Sequence, residues 1–381
     1  MKTKVIVLGA GLIGKPLAID LAADVNFEVA IADKDGNRLE GIENENISKK
    51  HTDLGNIPEL KKLVSDYDLV VNATPGFMGF KTLKSVVEAG KNCIDIAFYP
   101  ENAMDLDALC KKNNVMVISD IGVAPGMSNL LSGYAAAQLD EVDRVDIFVG
   151  GLPKVRRLPW EYKAVFSPTD VIEEYTRPAR LVENGEIVVK EPLTEIETLD
   201  FDRVGTLEAF NSDGLRSLLF TIKAKTMREK TLRYPGYANK IKLLADNGFF
   251  STEKIDIHGS QVSPLELTSK LLFKQWKQRE DDEDITVMRI LVEGKKGTKN
   301  LCFTFDLYDE YDPATKTHSM ARTTAYTASV AARMMLAKIF FQPGLFVPEM
   351  LGKHEVVVDY MLKGLANRNV IYTREVAENQ R

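Results

Sequence analysis

The sequence predicts an α/β fold: a doubly wound parallel sheet with an inserted α+β domain carrying a mainly antiparallel sheet. Three observations predict it. Short continuous apolar runs alternate with helical spacing through the first third of the chain, as expected of strands buried on both faces and joined by crossover helices. From about residue 142 the runs alternate apolar and polar with period two, which marks strands with one covered face. Helical spacing returns from "MARTTAYTASVAARMMLAKIFF" onward.

In order along the chain, "KVIVLG" (4–9) reads as the first buried strand and "LIGKPLAIDLAAD" as the helix after it. Pro16 is comfortable only if it falls in that helix's first turn. "EVAIAD" (28–33), "YDLVVNAT" (67–74), "NCIDIAF" (92–98) and "VMVISD" (115–120) read as further strands, each followed by a helix or loop. In the second part, "VDIFVGGL", "ITVMRILVEG" and "LCFTFDLYDEYD" read as strands, the last placing Leu301, Phe303, Phe305 and Leu307 on one face. "KKGTKN" between the latter two signals a hairpin. "LTSKLLFKQWKQREDDED" reads as an amphipathic helix ending in an acidic run, which is expected to be a solvated loop. The expected division is 1–125, completed by 322–381, for the parallel-sheet domain and 126–321 for the inserted one.

Composition narrows the partners. The net charge is −6, from 49 Lys and Arg against 55 Asp and Glu, which argues against nucleic acid and anionic membrane surfaces. No apolar run reaches the roughly 20 residues of a spanning helix. The N-terminus opens directly into a strand pattern, so no secretory signal is expected. Cys93, Cys110 and Cys302 are odd in number and scattered, which suits a reducing compartment; a cytoplasmic location is expected. The histidines at 51, 258, 318 and 354 show no metal-ligand spacing, so no metal is expected.

"VIVLGAGLIGKPLA" carries the chemistry that can be read with least ambiguity. Gly9, Gly11 and Gly14 stand directly after a strand and open a helix, the Rossmann-type arrangement for a dinucleotide. Gly9 permits the tight turn, Gly11 lets the backbone approach a pyrophosphate, and Gly14 lets helix and strand pack closely. Leu12 and Ile13 bring their amides to the phosphate-facing helix start. Asp33 ends the next strand 19 residues after Gly14. A carboxylate there accepts the adenosine ribose hydroxyls and repels a 2′-phosphate, so NAD is expected, with NADP the disfavoured alternative that Lys34 and Arg38 leave open. Asp53 is placed with this site, as are Asn72, Ala73, Thr74, Pro75 and Gly76 at the end of the fourth strand. A second glycine turn, "SDIGVAPGMSNLLSG" (119–133), has two readings. It is either the crossover into the inserted domain, or a helix N-terminus at which Gly126, Met127, Ser128 and Asn129 offer free amides to a ligand.

"GAGLIGKPLA", "ATPGFMGF", "DIAFYPEN", "DIGVAPGMSNLLSG", "VGGLP", "FSPTDVIEEYTRPARLVENGE", "DGLRSLL", "TLRYPGY" and "MARTTAYTA" occur in this order. Together they resemble the saccharopine dehydrogenase-like family, most closely its lysine 6-dehydrogenase branch, over residues 4 to about 350. The resemblance implies NAD-dependent oxidation of the ε-amine of L-lysine to the 6-semialdehyde, which cyclises to piperideine-6-carboxylate with loss of ammonia. It also implies a homodimer or higher homo-oligomer. Saccharopine dehydrogenase or reductase activity on a secondary amine is the alternative, and a non-catalytic dinucleotide-binding protein is a third. Where family members commonly have histidine after "RYPG", this chain has Tyr237.

An amine must be neutral before it can donate hydride, so such a site needs a base or a desolvating pocket. Asp95 and Asp120, at strand C-terminal ends, are the candidate bases, although each can instead cap the turn that follows. Tyr237 can exchange a proton or simply pack. Arg233 and Arg216 are the candidates for the substrate carboxylate. Of "EEYTRPAR", Tyr175 and Glu174 are placed at the substrate and the rest is read as a helix end with a proline stop. Gly126 and Asn129 complete the substrate residues.

Overall fold

Val5, Ile6, Val7 and Leu8 have no exposed surface, as strand β1 (Thr3–Leu8) must if both faces of its sheet are covered. A computed structural model describes residues 2–164, 168–279 and 282–378. The chain divides into two compact units, residues 1–138 with 321–371 and residues 139–320 with 372–381.

In the first unit β1 is followed by β2 (Phe27–Asp33), β3 (Ile47–His51), β4 (Leu69–Asn72), β5 (Asn92–Asp95) and β6 (Met116–Ile118). A seventh strand, Gly344–Phe346, joins from far along the chain. All pair in parallel, in the order Gly344–Phe346, β6, β5, β4, β1, β2, β3. The order reverses between β1 and β4, and ligands of open α/β sheets bind outside the strand C-termini at such a point. Pro16 lies in the first turn of the helix Gly14–Ala22, where it removes no helical hydrogen bond. The helix Met127–Ala137 is buried from Met127 to Ala135, and it crosses the helix Pro348–Gly352 through two glycines. A Cβ on Gly133 would lie 2.3 Å from the Glu349 carbonyl oxygen, and one on Gly352 would lie 2.2 Å from that of Leu130.

The second unit is built on one mixed sheet. Its strands run in the order Glu197–Phe201, Gly205–Asn211, Ala224–Arg233, Glu141–Pro153, Asp284–Lys296, Lys299–Glu310 and Tyr372–Glu378. Among the described residues only Ala224–Arg233 and Glu141–Pro153 pair in parallel in this sheet; Ala179–Glu183 and Glu186–Lys190 attach as a hairpin. The expected hairpin forms with Lys296 opposite Lys299, and Gly297 takes φ +58° in the turn. Phe303, Phe305 and Leu307 face the core. Above the sheet a second core gathers Tyr162, Tyr175, Phe210, Tyr237 and Trp276.

Several expectations are corrected. The last strand, Tyr372–Glu378, adds to the second unit's sheet beside Lys299–Glu310, whereas the sequence placed 322–381 wholly with the first unit. The helix Met127–Ala137 belongs to the first unit, because its nearly all-buried surface packs on Pro348–Gly352. The acidic run is not simply a solvated loop. Glu280 and Asp281 lie outside the described residues, but Asp284 is fully buried and accepts the amide N–H groups of Ser319 (2.7 Å) and Met320 (3.1 Å). It thereby caps the helix Ser319–Leu336.

Candidate functional site

Each glycine of the first turn meets a different constraint. Gly9 has φ +105°, donates to the Ala32 carbonyl at 2.8 Å, and a Cβ on it would stand 2.5 Å from the Ala73 oxygen. A Cβ on Gly14 would fall 1.9 Å from the Gly9 oxygen. Around Gly11 nothing lies within 4 Å of the Cβ position. The first and third glycines therefore hold strand and helix together, while the second faces open space at a helix start, the place such turns generally leave for a phosphate group. Leu12 is 55 % exposed beside it, and Ile13 is the residue preceding the helix.

Asp33 at the end of β2 accepts the Ala10 amide at 2.7 Å and the Asp35 amide at 2.9 Å. It thereby fixes the glycine turn, and with one such bond on each oxygen the carboxylate keeps acceptor capacity to spare. Arg38 comes within 4.0 Å of it and pairs with Asp35 at 3.4 Å. Asp53 follows β3 and accepts the Gly55 amide at 3.0 Å. Ala73 donates to Leu8 across the β1–β4 switch point, and Pro75 leads into the helix Gly76–Glu88.

Asn72 and Asp95 form a buried polar node at the ends of β4 and β5. Asn72 donates to Asp95 at 2.8 Å and to the Gly79 carbonyl, and it accepts the Thr74 hydroxyl at 2.7 Å. Asp95 also accepts the Tyr99 hydroxyl at 2.6 Å, the Ser119 hydroxyl at 3.1 Å and the Ala97 amide at 3.2 Å. Burial pushes its carboxyl up to about 7; the Tyr99 hydrogen bond opposes this and the charge of Asp120 adds to it. With no exposed surface and four donors in place, Asp95 ties three strand ends together and has no free lone pair aimed at a substrate. That corrects its reading as a base. Asp120, buried with φ +56°, follows β6.

The second glycine turn closes on itself. Met127 and Ser128 donate to the carbonyls of Gly122 (3.0 Å) and Val123 (3.1 Å), and the Gly126 amide lies 3.5 Å from the Asn129 side-chain oxygen. Their amides are not free for a ligand, contrary to one of the two sequence readings. Gly126, at φ +142°, is required because a Cβ would sit 1.8 Å from the Gly122 oxygen. Asn129 is fully buried, accepting the Ser128 hydroxyl at 2.9 Å and reaching Glu349 at 3.5 Å. Both residues are buried.

In the second unit Arg233, Tyr175, Tyr237 and Glu174 do come together. Arg233 is 2 % exposed. It donates to Glu174 at 2.8 Å and to the Leu232 carbonyl at 2.9 Å, and its guanidinium lies 4.5 Å from the Tyr162 ring centre. Its Nε has no partner, nor does the Tyr162 hydroxyl or Trp276 Nε1, among the described residues. The hydroxyls of Tyr175 and Tyr237 are 2.9 Å apart. Burial raises the Tyr237 phenol well above its ordinary range, and the charge of Arg233 opposes this. The turn before it is held by Glu208, whose carboxylate accepts the amides of Gly236 (2.7 Å) and Ala238. Arg216 is buried at φ +54° in the loop after Gly205–Asn211.

Glu229 is the residue that sequence reasoning missed. It shares a strand face with Thr231 and Arg233, alternate positions of Ala224–Arg233. It is 5 % exposed and accepts the Ser212 hydroxyl at 2.7 Å, and that hydroxyl lies 2.8 Å from Thr231 Oγ1. Burial pushes its carboxyl up to about 8; the Ser212 hydrogen bond and the Gly214 amide oppose this, and the charges of Glu174 and Asp213 add to it. Counting alternate residues back from Arg233 in "REKTLR" was the available signal.

A glycine turn at the switch point of a parallel sheet in one unit, together with a buried ion pair in the other, defines a two-unit protein of the dinucleotide-binding class. The chain belongs to the saccharopine dehydrogenase family: residues 5–118 match the saccharopine dehydrogenase NADP binding domain and residues 122–371 the saccharopine dehydrogenase C-terminal domain. It is 24 % identical over 279 residues to the mitochondrial alpha-aminoadipic semialdehyde synthase of Mus musculus, covering 69 % of this chain and 30 % of that one. It is 25 % identical over 299 residues to the NADP(+), L-glutamate-forming saccharopine dehydrogenase of Saccharomyces cerevisiae, covering 74 % and 66 %. The chain thus spans under a third of the first relative's length and just short of two thirds of the second's. The solved apo structure of the L-Glu-forming saccharopine dehydrogenase from Saccharomyces cerevisiae has the same fold, with a TM-score of 0.79 at 17 % identity over 98 % of this chain and all of that one. Among the described residues no helix is long and apolar enough to cross a membrane.

Proposed function

We propose that the protein is an NAD-dependent oxidoreductase that removes the ε-amine of L-lysine, giving the 6-semialdehyde and ammonia. The observation that carries this reading is the Arg233–Glu174 pair, held at 2.8 Å inside a wall of tyrosines and tryptophan. A matched cation and anion complement the carboxylate and ammonium of an amino-acid head, and a guanidinium fits a carboxylate fork. Tyr162, Tyr175 and Tyr237 keep the guanidinium in place and limit water around it. The first unit would hold the dinucleotide with Gly9, Gly11, Gly14 and Asp33, and the bound nicotinamide supplies the hydride acceptor. Asp33 favours NAD, while Arg38 beside it offers a contact for a 2′-phosphate.

Saccharopine is the second reading, favoured by the names of the relatives. It brings three carboxylates, whereas two guanidiniums of this region are each matched by an internal acid, Arg233 by Glu174 and Arg180 by Asp213 at 2.9 Å. That balance supports the smaller, more cationic substrate. The test is purified protein with lysine or saccharopine, each with NAD and NADP, followed by absorbance of the reduced nucleotide. Turnover with lysine and NAD is expected. Turnover with saccharopine alone would transfer the assignment to the second reading, and binding of dinucleotide without turnover of any amino acid would leave a binding protein.

A further inference from the structure

We propose that Glu229 is the group that receives the ε-ammonium of the substrate and takes its proton. This deepens the lysine reading and rests on it. Glu229 stands four residues from Arg233 on one face of one strand, so their Cα atoms are about 13 Å apart. An extended lysine spans about 7 Å from carboxylate carbon to Nζ, and with a hydrogen bond of about 2.9 Å at each end it bridges a similar spacing where the two side chains stand parallel off the same strand face. Glu174 is placed toward both, since it pairs with Arg233 and its charge reaches Glu229. Once Glu229 is ionised by the arriving ammonium, the three residues would offer plus, minus and minus to the α-carboxylate, α-ammonium and ε-ammonium. Lysine is the amino acid whose charges run in that order at that length.

The neighbourhood is built around this carboxyl. Gly214 carries no side chain where a Cβ would meet the Glu229 carboxyl at 2.4 Å. Ser212, after Gly205–Asn211, donates to it. The charged groups facing it are Glu174 from the helix Pro168–Thr176 and Asp213 from the loop, Asp213 being held by Arg180 from the strand Ala179–Glu183. The Glu174 side chain keeps 24 % of its exposure, so the cluster is not sealed. In the step itself an N–H bond of the ammonium breaks and an O–H bond forms on Glu229. The amine is left with the lone pair that hydride loss requires, and the carboxyl leaves the step neutral.

With the free carboxyl pushed up to about 8, Glu229 is mostly protonated at pH 7, and an arriving ammonium expels that proton. The experiment is calorimetry of L-lysine binding at pH 7 in buffers of different ionisation enthalpy, together with the pH profile of kcat/KM. Wild-type protein should release close to one proton on binding lysine, and Glu229→Gln essentially none. The variant should lose at least about 100-fold in kcat and recover as pH rises toward that of the free amine. Ser212→Ala, which keeps the carboxylate but removes a hydrogen bond that stabilises its charged form, should move the acid limb of kcat/KM to higher pH. Glu229→Gln with unchanged proton release and an unchanged acid limb overturns the assignment while the lysine reading survives. Absence of lysine binding by the wild-type protein overturns both.

Discussion

The two glycines at either end of the helix start should separate folding from nucleotide binding when each is replaced by alanine. In Gly14→Ala the new methyl would lie 1.9 Å from the Gly9 oxygen. Gly9 cannot yield cheaply, because its amide is bonded to Ala32 and its own Cβ position is blocked by Ala73. Strand and helix must part by about 1.5 Å, an overpacking that costs about 1–3 kcal/mol. In a unit of this size that is a fall in Tm of about 2–12 °C. Gly11→Ala meets no atom within 4 Å, and removing a glycine from a conformation alanine accepts stabilises by about 0.4–1 kcal/mol. Its Tm should hold or rise slightly. Its methyl, however, occupies the space in which the pyrophosphate is expected, so NADH affinity should fall about tenfold or more, a loss of about 1.4 kcal/mol. Scanning calorimetry and NADH fluorescence titration read the two effects separately. Wild-type NADH affinity in Gly11→Ala, or equal losses of Tm in both variants, would refute the reasoning.

Asp33→Ala should lower the preference for NAD over NADP by about tenfold, since Arg38 is freed from a competing carboxylate; comparison of the two dissociation constants decides it. Gly133→Ala and Gly352→Ala press on the same helix crossing, so each should cost about 1–3 kcal/mol and the pair less than their sum, measured by denaturant unfolding. Asp95 gives a pH dependence. Its carboxyl is raised from 3.8 to about 7 in the folded chain, so the stability it contributes is complete below about pH 4 and is lost as pH rises through about 7. Asp95→Asn does not titrate, and wild type should therefore weaken relative to the variant between pH 4.5 and 7.5. A difference moving the other way in guanidinium unfolding would contradict the assigned direction.

What the sequence conveyed well was local. The turn at Gly9, Gly11 and Gly14 was legible because strand, turn and helix adjoin in the chain and each glycine has its own geometric need. The strand β3 (Ile47–His51) was not legible. It lies at the sheet edge, where Lys49, Lys50 and His51 replace the apolar residues of a central strand and discourage further pairing. Gly344–Phe346 was hidden because three residues carry no period and their partner β6 is over 220 residues away. Asp95 reads as a base from its place at a strand end, and only the hydrogen bonds from Asn72, Ala97, Tyr99 and Ser119 show why it is held. The free amides expected at the second glycine turn are consumed by Gly122 and Val123, whose carbonyls fold back in a way residue types do not announce. Glu229 went unseen for a different reason. An acid in an alternating strand ordinarily faces water, and its burial depends on Ser212 and Gly214 from another strand and its loop.

The strand Gly344–Phe346 and the strand Tyr372–Glu378 are close in the chain yet complete different units. Until residues 344–378 have been synthesised, β6 and Lys299–Glu310 each remain a bare sheet border, open to pairing with another nascent chain. A ribosome that stalls before this stretch would thus release two unfinished halves rather than one finished domain and one missing one.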